Sequence, residues 1–403
     1  MTEPESPADA ALRDPASVFN LTAASDWWRP SALDYTVQGP FWDILEARCL
    51  TVLVTREYEH FVLALSADHD GPRVSVLRAP HPSGLVVDRT NDLVHIACTR
   101  NPNQVLRLGL SNGWLDRSDR PSEPAERGLV PHSTTFHPGC LYLHDLAIVD
   151  GRLLGTAVGM NTVVDLQDGL ARPVWWPASI GSRDGPLTDR NHIQLNSIAA
   201  GSTIAGSYFT ASMAAPGPTR PGDPDWEVDR AGVIFDGMTR EPLVGGLTRP
   251  HSVRNDRARL FVADSGYGDL CLVDAGELTR IANLPGWTRG LCILDDLALV
   301  GTSRIIRRTA QYAPGIDVDR ARCAIHLVDL EGGGIEGSLI WPEGDQIFGI
   351  DWIARERCRG FLAGRPGLDA AAVESAWYRY APPVPRDHVG DETASGGEKE
   401  SDD

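Results

Sequence analysis

The sequence predicts an all-β chain folded as a six-bladed β-propeller, closed by strands from its two ends that share one blade. Three observations predict it: a short phrase that recurs six times, Val/Ile/Leu-rich runs that follow it, and complementary half-blades at the two ends. The phrase is one variable residue, then a small or short polar residue, then an aliphatic one that opens an apolar run. Its instances are Ser83-Gly84-Leu85, His144-Asp145-Leu146, Asn196-Ser197-Ile198, His251-Ser252-Val253, Arg289-Gly290-Leu291 and Phe348-Gly349-Ile350, on average about 53 residues apart. A period of that size marks propeller blades and other structural arrays.

Each phrase is followed by further short runs. Leu93 to Thr99 and Gln104 to Leu110 follow Ser83; Arg259 to Ala263 and Leu270 to Val273 follow His251. Leu297 to Gly301 and, past an insertion, Ala324 to Leu330 follow Arg289. Such runs, punctuated by Gly, Asp and Asn, read as antiparallel strands, and no long stretch carries a helical period. Thr51 to Ser66 resembles His95 to Ser111 and supplies outer strands without an innermost one; Ile347 to Ile353 supplies an innermost strand with little after it. Joined, the ends complete one blade, and a closed ring leaves few exposed edges. The alternative is a seventh blade around Val37 to Ala47.

Composition bounds the function. Residues 15–385 read as a single propeller domain. Residues 1–14 (one basic and four acidic side chains) and 386–403 (two and seven) read as disordered acidic tails. The net charge of −18 argues against nucleic acid and against an anionic membrane as partners. The start lacks a basic-then-apolar leader and no apolar run spans a bilayer, while seven cysteines without a CxxC pairing fit a reducing compartment. The expected location is the cytoplasm. Lys399 is the only lysine, so Schiff-base chemistry, pyridoxal phosphate and a nucleotide-binding P-loop are excluded from the folded body. Arginine carries the positive charge instead, and its planar fork suits carboxylates.

The variable position of the phrase reads Ser, His, Asn, His, Arg, Phe. One residue per innermost strand converges at one mouth of a propeller channel, so this column is the candidate site. His144, Asn196 and His251 are the candidate ligands of a divalent transition metal (Fe, Zn, Cu or Mn), with positions left for water or substrate. Arg289 is expected to bind a substrate carboxylate or stabilise developing negative charge, with His81 as the second catalytic candidate. Trp287, Gln346 and His192 are candidate substrate contacts. The function that follows is binding of a small anionic metabolite, with enzymatic turnover of it. The rival is a non-catalytic scaffold that offers a propeller face to a protein partner.

The segments REYEHFVLALS, HPSGLVVDRTNDLVHIACTRNPNQ, CLYLHDLAIVDGRL, RNHIQLNSIAAG, GLTRPHSVR, LPGWTRGL and WPEGDQIFGI resemble a bacterial family of conserved hypothetical proteins, a domain of unknown function, over roughly residues 25 to 355. That resemblance implies no activity. The blade phrase is also similar, more distantly, to six-bladed gluconolactonase/regucalcin-like and strictosidine-synthase-like propellers. The gluconolactonase branch often holds a divalent cation with acidic or amide oxygens at the variable position. The resemblance carries that role onto His144, Asn196 and His251, and nitrogen donors there imply a transition ion rather than Ca or Mg.

Overall fold

The computed structural model describes residues 30–100, 102–111, 114–119, 128–362 and 378–381; both acidic tails lie outside the described residues. Six antiparallel sheets, five of four strands and one of five, form the blades of the propeller. Blade 1 runs outward through Pro82–Asp88, Leu93–Cys98, Asn103–Leu110 and Leu129–His137. The innermost strands of blades 2 to 5 are Leu143–Val149, Leu195–Ala199, Pro250–Asp256 and Trp287–Leu294. Blade 6 takes its innermost strand, Ile350–Ala354, from the far end of the chain and its outer strands, Leu50–Arg56, Phe61–Asp68 and Gly71–Arg78, from the near end. The register pairs Val52 with Trp352 and Val54 with Ile350, so the ring closes by hydrogen bonds across nearly 300 residues of sequence, as the two half-blades predict.

No seventh blade forms around Val37 to Ala47. Thr36–Gln38 pairs with Ile335–Trp341 and adds a fifth strand to the outer edge of blade 5, and Phe41–Ala47 is a helix. Phe41 and Leu45 lie four residues apart and so share one helix face; both are buried against the core between blades 5 and 6.

The core is a ring of six clusters, one per blade interface. Side chains alternate along each strand, so a strand in a middle blade serves two clusters. Val52 and Val54 face blade 5, whereas Leu53 between them faces blade 1. This accounts for continuous apolar runs where a half-exposed sheet would show alternation.

Nearer the channel, a side chain ties each blade to a backbone carbonyl of the next. Going round, Thr55 Oγ1 donates to Ser83 O (2.5 Å), Ser83 Oγ to Leu143 O (2.7 Å) and Thr156 Oγ1 to Asn196 O (3.1 Å). Asn196 Nδ2 donates to Pro250 O (3.0 Å), Ser265 Oγ to Thr288 O (2.6 Å) and Ser303 Oγ to Ile347 O (3.2 Å). All six interfaces are closed this way. The second position of the phrase adds to it: Asp145 accepts from Ile198 N, Ser197 Oγ from Val253 N and Ser252 Oγ from Gly290 N. Where the inner strands come closest only glycine fits, since a Cβ on Gly84 would stand 2.5 Å from Asp145 Cα.

Candidate functional site

The innermost strands enter the channel through an irregularity. In blades 1 to 5 the pairing register of the first strand shifts at the phrase, a β-bulge that turns side chains toward the axis. Two residues ahead of the variable position stand His81, Tyr142, Gln194, Arg249, Trp287 and Gln346. In the first four blades this residue is held in the left-handed region, with φ between 43° and 54°. An L side chain there costs about 1–2 kcal/mol, and such strain gathers at functional sites.

Above these residues lies a cavity of about 600 Å³ at the mouth of the channel. Tyr142, Gln194, Arg249, Trp287 and Gln346 all line it, while from the variable column only His144 and Arg289 do. The column two residues earlier therefore forms the wall, and the variable column forms the layer beneath it. Glu57, Tyr58 and Arg100 line the wall from the turns that follow second strands.

Two long insertions roof one side. Residues 212–231 of blade 3 and 304–322 of blade 5 meet through Trp226, Val228, Ile305, Tyr312 and Ala321, with Trp287 beneath them. The roof encloses Arg249. Its guanidinium carbon lies 4.6 Å from the Tyr312 ring centre, 5.3 Å from Trp226 and 5.7 Å from Trp287, all within cation–π range. Gln194 Oε1 accepts from Arg249 Nη1, and Arg249 Nε is buried with no hydrogen-bond partner. No carboxylate pairs with it among the described residues, and burial lowers its pKa to about 10.

Arg289 is the second buried cation. Burial is the main cause that lowers its pKa to about 9; Glu57 opposes the shift and Arg249 adds to it. Its guanidinium lies on the Phe348 ring at 3.2 Å, and Nη2 donates to His144 Nδ1 at 3.3 Å. With the Gln346 amide oriented to satisfy both neighbours, its oxygen accepts from Arg289 Nη1 (3.0 Å) and its nitrogen donates to Glu57 Oε2 (2.9 Å). Glu57 Oε1 is 3.6 Å from Arg100 Nη2 and 3.9 Å from His81 Nδ1. His81 thus sits behind Glu57, edge-on to His60 at 4.2 Å, and does not line the cavity.

His144, Asn196 and His251 do converge. The Asn196 amide opposes the lowering of the His144 pKa, and His144 contributes to the lowering at His251. Burial, then the arginines, hold both imidazoles well below the ordinary histidine pKa, so both are neutral at pH 7. Their tautomers follow from their partners. His251 Nδ1 lies 2.8 Å from the Arg249 carbonyl oxygen and must carry the proton, which leaves Nε2 as a lone pair. His144 Nδ1 accepts from Arg289, which leaves its proton on Nε2.

This set does not fit a transition metal. His144 gives its lone pair to a guanidinium, Asn196 Oδ1 faces the proton-bearing side of that ring, and the layer offers no carboxylate. Arg289, Arg249 and Arg100 all disfavour added positive charge at His144. Among the described residues, the one group of three His, Cys, Asp or Glu close enough to share an ion is Asp68, His69 and Asp70, on a hairpin turn away from the cavity, where Asp68 already pairs with Arg73 (3.0 Å). His192 also stands apart: it bonds Asp189 (3.0 Å) and anchors its loop through Asn161 (2.7 Å) without lining the cavity.

The strained positions make a separable prediction. Tyr142 is exposed and adds little core packing, so Tyr142→Gly is expected to keep or raise the melting temperature and Tyr142→Val to lower it, the two differing by about 1 kcal/mol or more. Calorimetric melts of both variants check this.

Residues 39–362 match a family model described as a domain of unknown function, DUF4915. No curated protein sequence matches the chain significantly. A solved nidogen–laminin complex contains a chain similar to this one at 12% identity and TM-score 0.50, covering 77% of this chain and 100% of that one. A gluconolactonase from Xanthomonas campestris is similar at 12% identity and TM-score 0.44 over 74% of this chain and 87% of its own. A protein of unknown function from Bacteroides caccae is similar at 10% identity and TM-score 0.47, over 75% and 98%. These likenesses concern the fold.

Proposed function

The chain belongs to the DUF4915 family, and for its central cavity we propose the binding and turnover of a small organic anion. One observation carries this reading: Arg249 and Arg289 are both buried at the cavity wall and, among the described residues, neither has a directly paired carboxylate. Burying an uncompensated guanidinium is costly, and an anion between two of them would relieve that cost. Five arginines line the cavity against the two carboxylates Glu57 and Asp345, so the mouth attracts anions on a molecule that is acidic as a whole.

In this reading Arg249 and Arg289 hold the anion, Trp287 and Gln346 complete the wall, and Glu57, backed by His81, is the group placed to move a proton. His192 has no part in it. The seven cysteines are free and five are buried, in keeping with a protein of the reducing cytoplasm. No helix among the described residues is long and apolar enough to cross a membrane.

Isothermal titration with succinate and citrate tests the reading. Wild type is expected to bind at least one of them, and Arg289→Met to weaken it tenfold or more, since a charge-assisted hydrogen bond contributes about 1.5–3 kcal/mol. Absence of binding to any small dianion would favour the scaffold alternative instead.

A further inference from the structure

Beneath the two arginines lie two buried hydrogen-bond acceptors. His251 Nε2 is shielded from solvent with no hydrogen-bond partner, and Asn196 Oδ1, equally shielded, turns to the His144 ring. They belong to the layer of His144 and Arg289, both of which reach the cavity. Each is fixed as an acceptor from behind. The His251 proton is drawn to Nδ1 by the Arg249 carbonyl and by Ser265 Oγ (2.9 Å), whose own proton goes to Thr288 O. The Asn196 nitrogen donates to Pro250 O and Ser212 Oγ (3.3 Å), so its oxygen faces away from them toward the His144 ring. Arg249 stands immediately before the strand that carries His251, two residues from it, and Trp287 stands beside both. A guanidinium that wants an anion and a lone pair that wants a proton donor are thus built next to each other. A buried acceptor left unpaired costs about 1–3 kcal/mol, which a ligand donor would recover.

We infer that the cavity takes a 2-hydroxycarboxylate, with the carboxylate on Arg249 and Arg289 and the adjacent hydroxyl donating to His251 Nε2 beside Asn196 Oδ1. This rests on the anion reading above and specifies its ligand. A hydroxyl is the donor that fits. An α-ammonium group would also donate, but it would place a third positive charge beside two guanidiniums that already depress the neighbouring imidazoles. A ligand without a donor at that carbon would leave the His251 lone pair unpaired.

The test is calorimetric titration of the full chain with succinate, L-malate, D-malate and L-aspartate, repeated on His251→Phe. Succinate lacks the hydroxyl, and aspartate carries the ammonium in its place. Wild type is expected to bind one malate enantiomer at least tenfold more tightly than succinate or aspartate. His251→Phe is expected to erase that gap while leaving succinate unchanged. Equal affinity for succinate and both malates overturns the hydroxyl contact yet keeps the anion reading. Aspartate binding more tightly than either malate overturns the assignment of the donor. No binding of any of the four removes the inference, and no binding of citrate either removes the anion reading with it. Should the phenylalanine variant fail to fold, the wild-type comparison decides alone.

Discussion

Replacing Arg249 by methionine is expected to raise the melting temperature of the ligand-free protein and, in the same variant, to remove anion binding. The two effects have one cause. Arg249 is buried under the roof with three aromatic rings around it and, among the described residues, no carboxylate, and burial lowers its pKa to about 10. The rings offset part of the desolvation, a desolvated cation–π contact giving about 2 kcal/mol, but they do not neutralise the charge. Methionine keeps contact with Trp226, Trp287 and Tyr312 through its sulfur and removes the charge. Exchanging buried charge for apolar volume stabilises comparable sites by about 1–4 kcal/mol. A side chain that weakens the fold where it stands is the kind retained for binding. Calorimetric melts with and without succinate check both halves. A melting temperature that falls, with the succinate response intact, would mean that Arg249 serves packing alone.

The opposite outcome is expected at Asp145. Asp145→Ala should destabilise the protein by about 3–5 kcal/mol, because it strands a buried charge. Arg254 Nη1 and Nη2 lie 2.9 Å and 3.2 Å from the two Asp145 oxygens, and Arg254 also donates to the carbonyls of Leu291, Ile198 and Val253. Asp145 itself accepts from the backbone of Ile198. One ion pair therefore ties the inner strands of blades 2, 3, 4 and 5 across the axis. Removing the aspartate leaves a guanidinium with carbonyls only, whereas Asp145→Ala/Arg254→Met removes both charges and should recover most of the loss. Chemical denaturation of the single and double variants measures this. A single variant as stable as wild type would show that the pair contributes nothing to ring closure.

These two arginines differ in a way the sequence does not display. Arg249 stands just before the inner strand of blade 4 and Arg254 on it, five residues later, and only the fold gives one an aromatic box and the other a carboxylate. What was legible was the architecture. The phrase repeats because each inner strand meets the same crowding, which admits only Gly, Ser or Asp at its second position, and the half-blades at the two ends announce their own pairing. The convergence of His144, Asn196, His251 and Arg289 was legible for the same reason. The wall of the cavity was legible only in part: Trp287 and Gln346 were expected substrate contacts, whereas Tyr142 and Arg249 are aimed by a bulge and a left-handed backbone that leave no mark in composition. Glu57 escaped notice because it follows an outer strand of blade 6, and only ring closure brings it beside Gln346 and Arg289. Against the expected metal set stands one contact that no sequence pattern displays: the guanidinium of Arg289 donates to His144 Nδ1.

The most direct measurement is anomalous diffraction from crystals of the full chain soaked in bromide, with data also collected at the iron, copper and zinc edges of unsoaked crystals. The account predicts a bromide peak in the central cavity between Arg249 and Arg289, lost in Arg249→Met/Arg289→Met, and no metal peak among His144, Asn196 and His251. A transition-metal peak held by those three residues, with no bromide at the arginines, would contradict it.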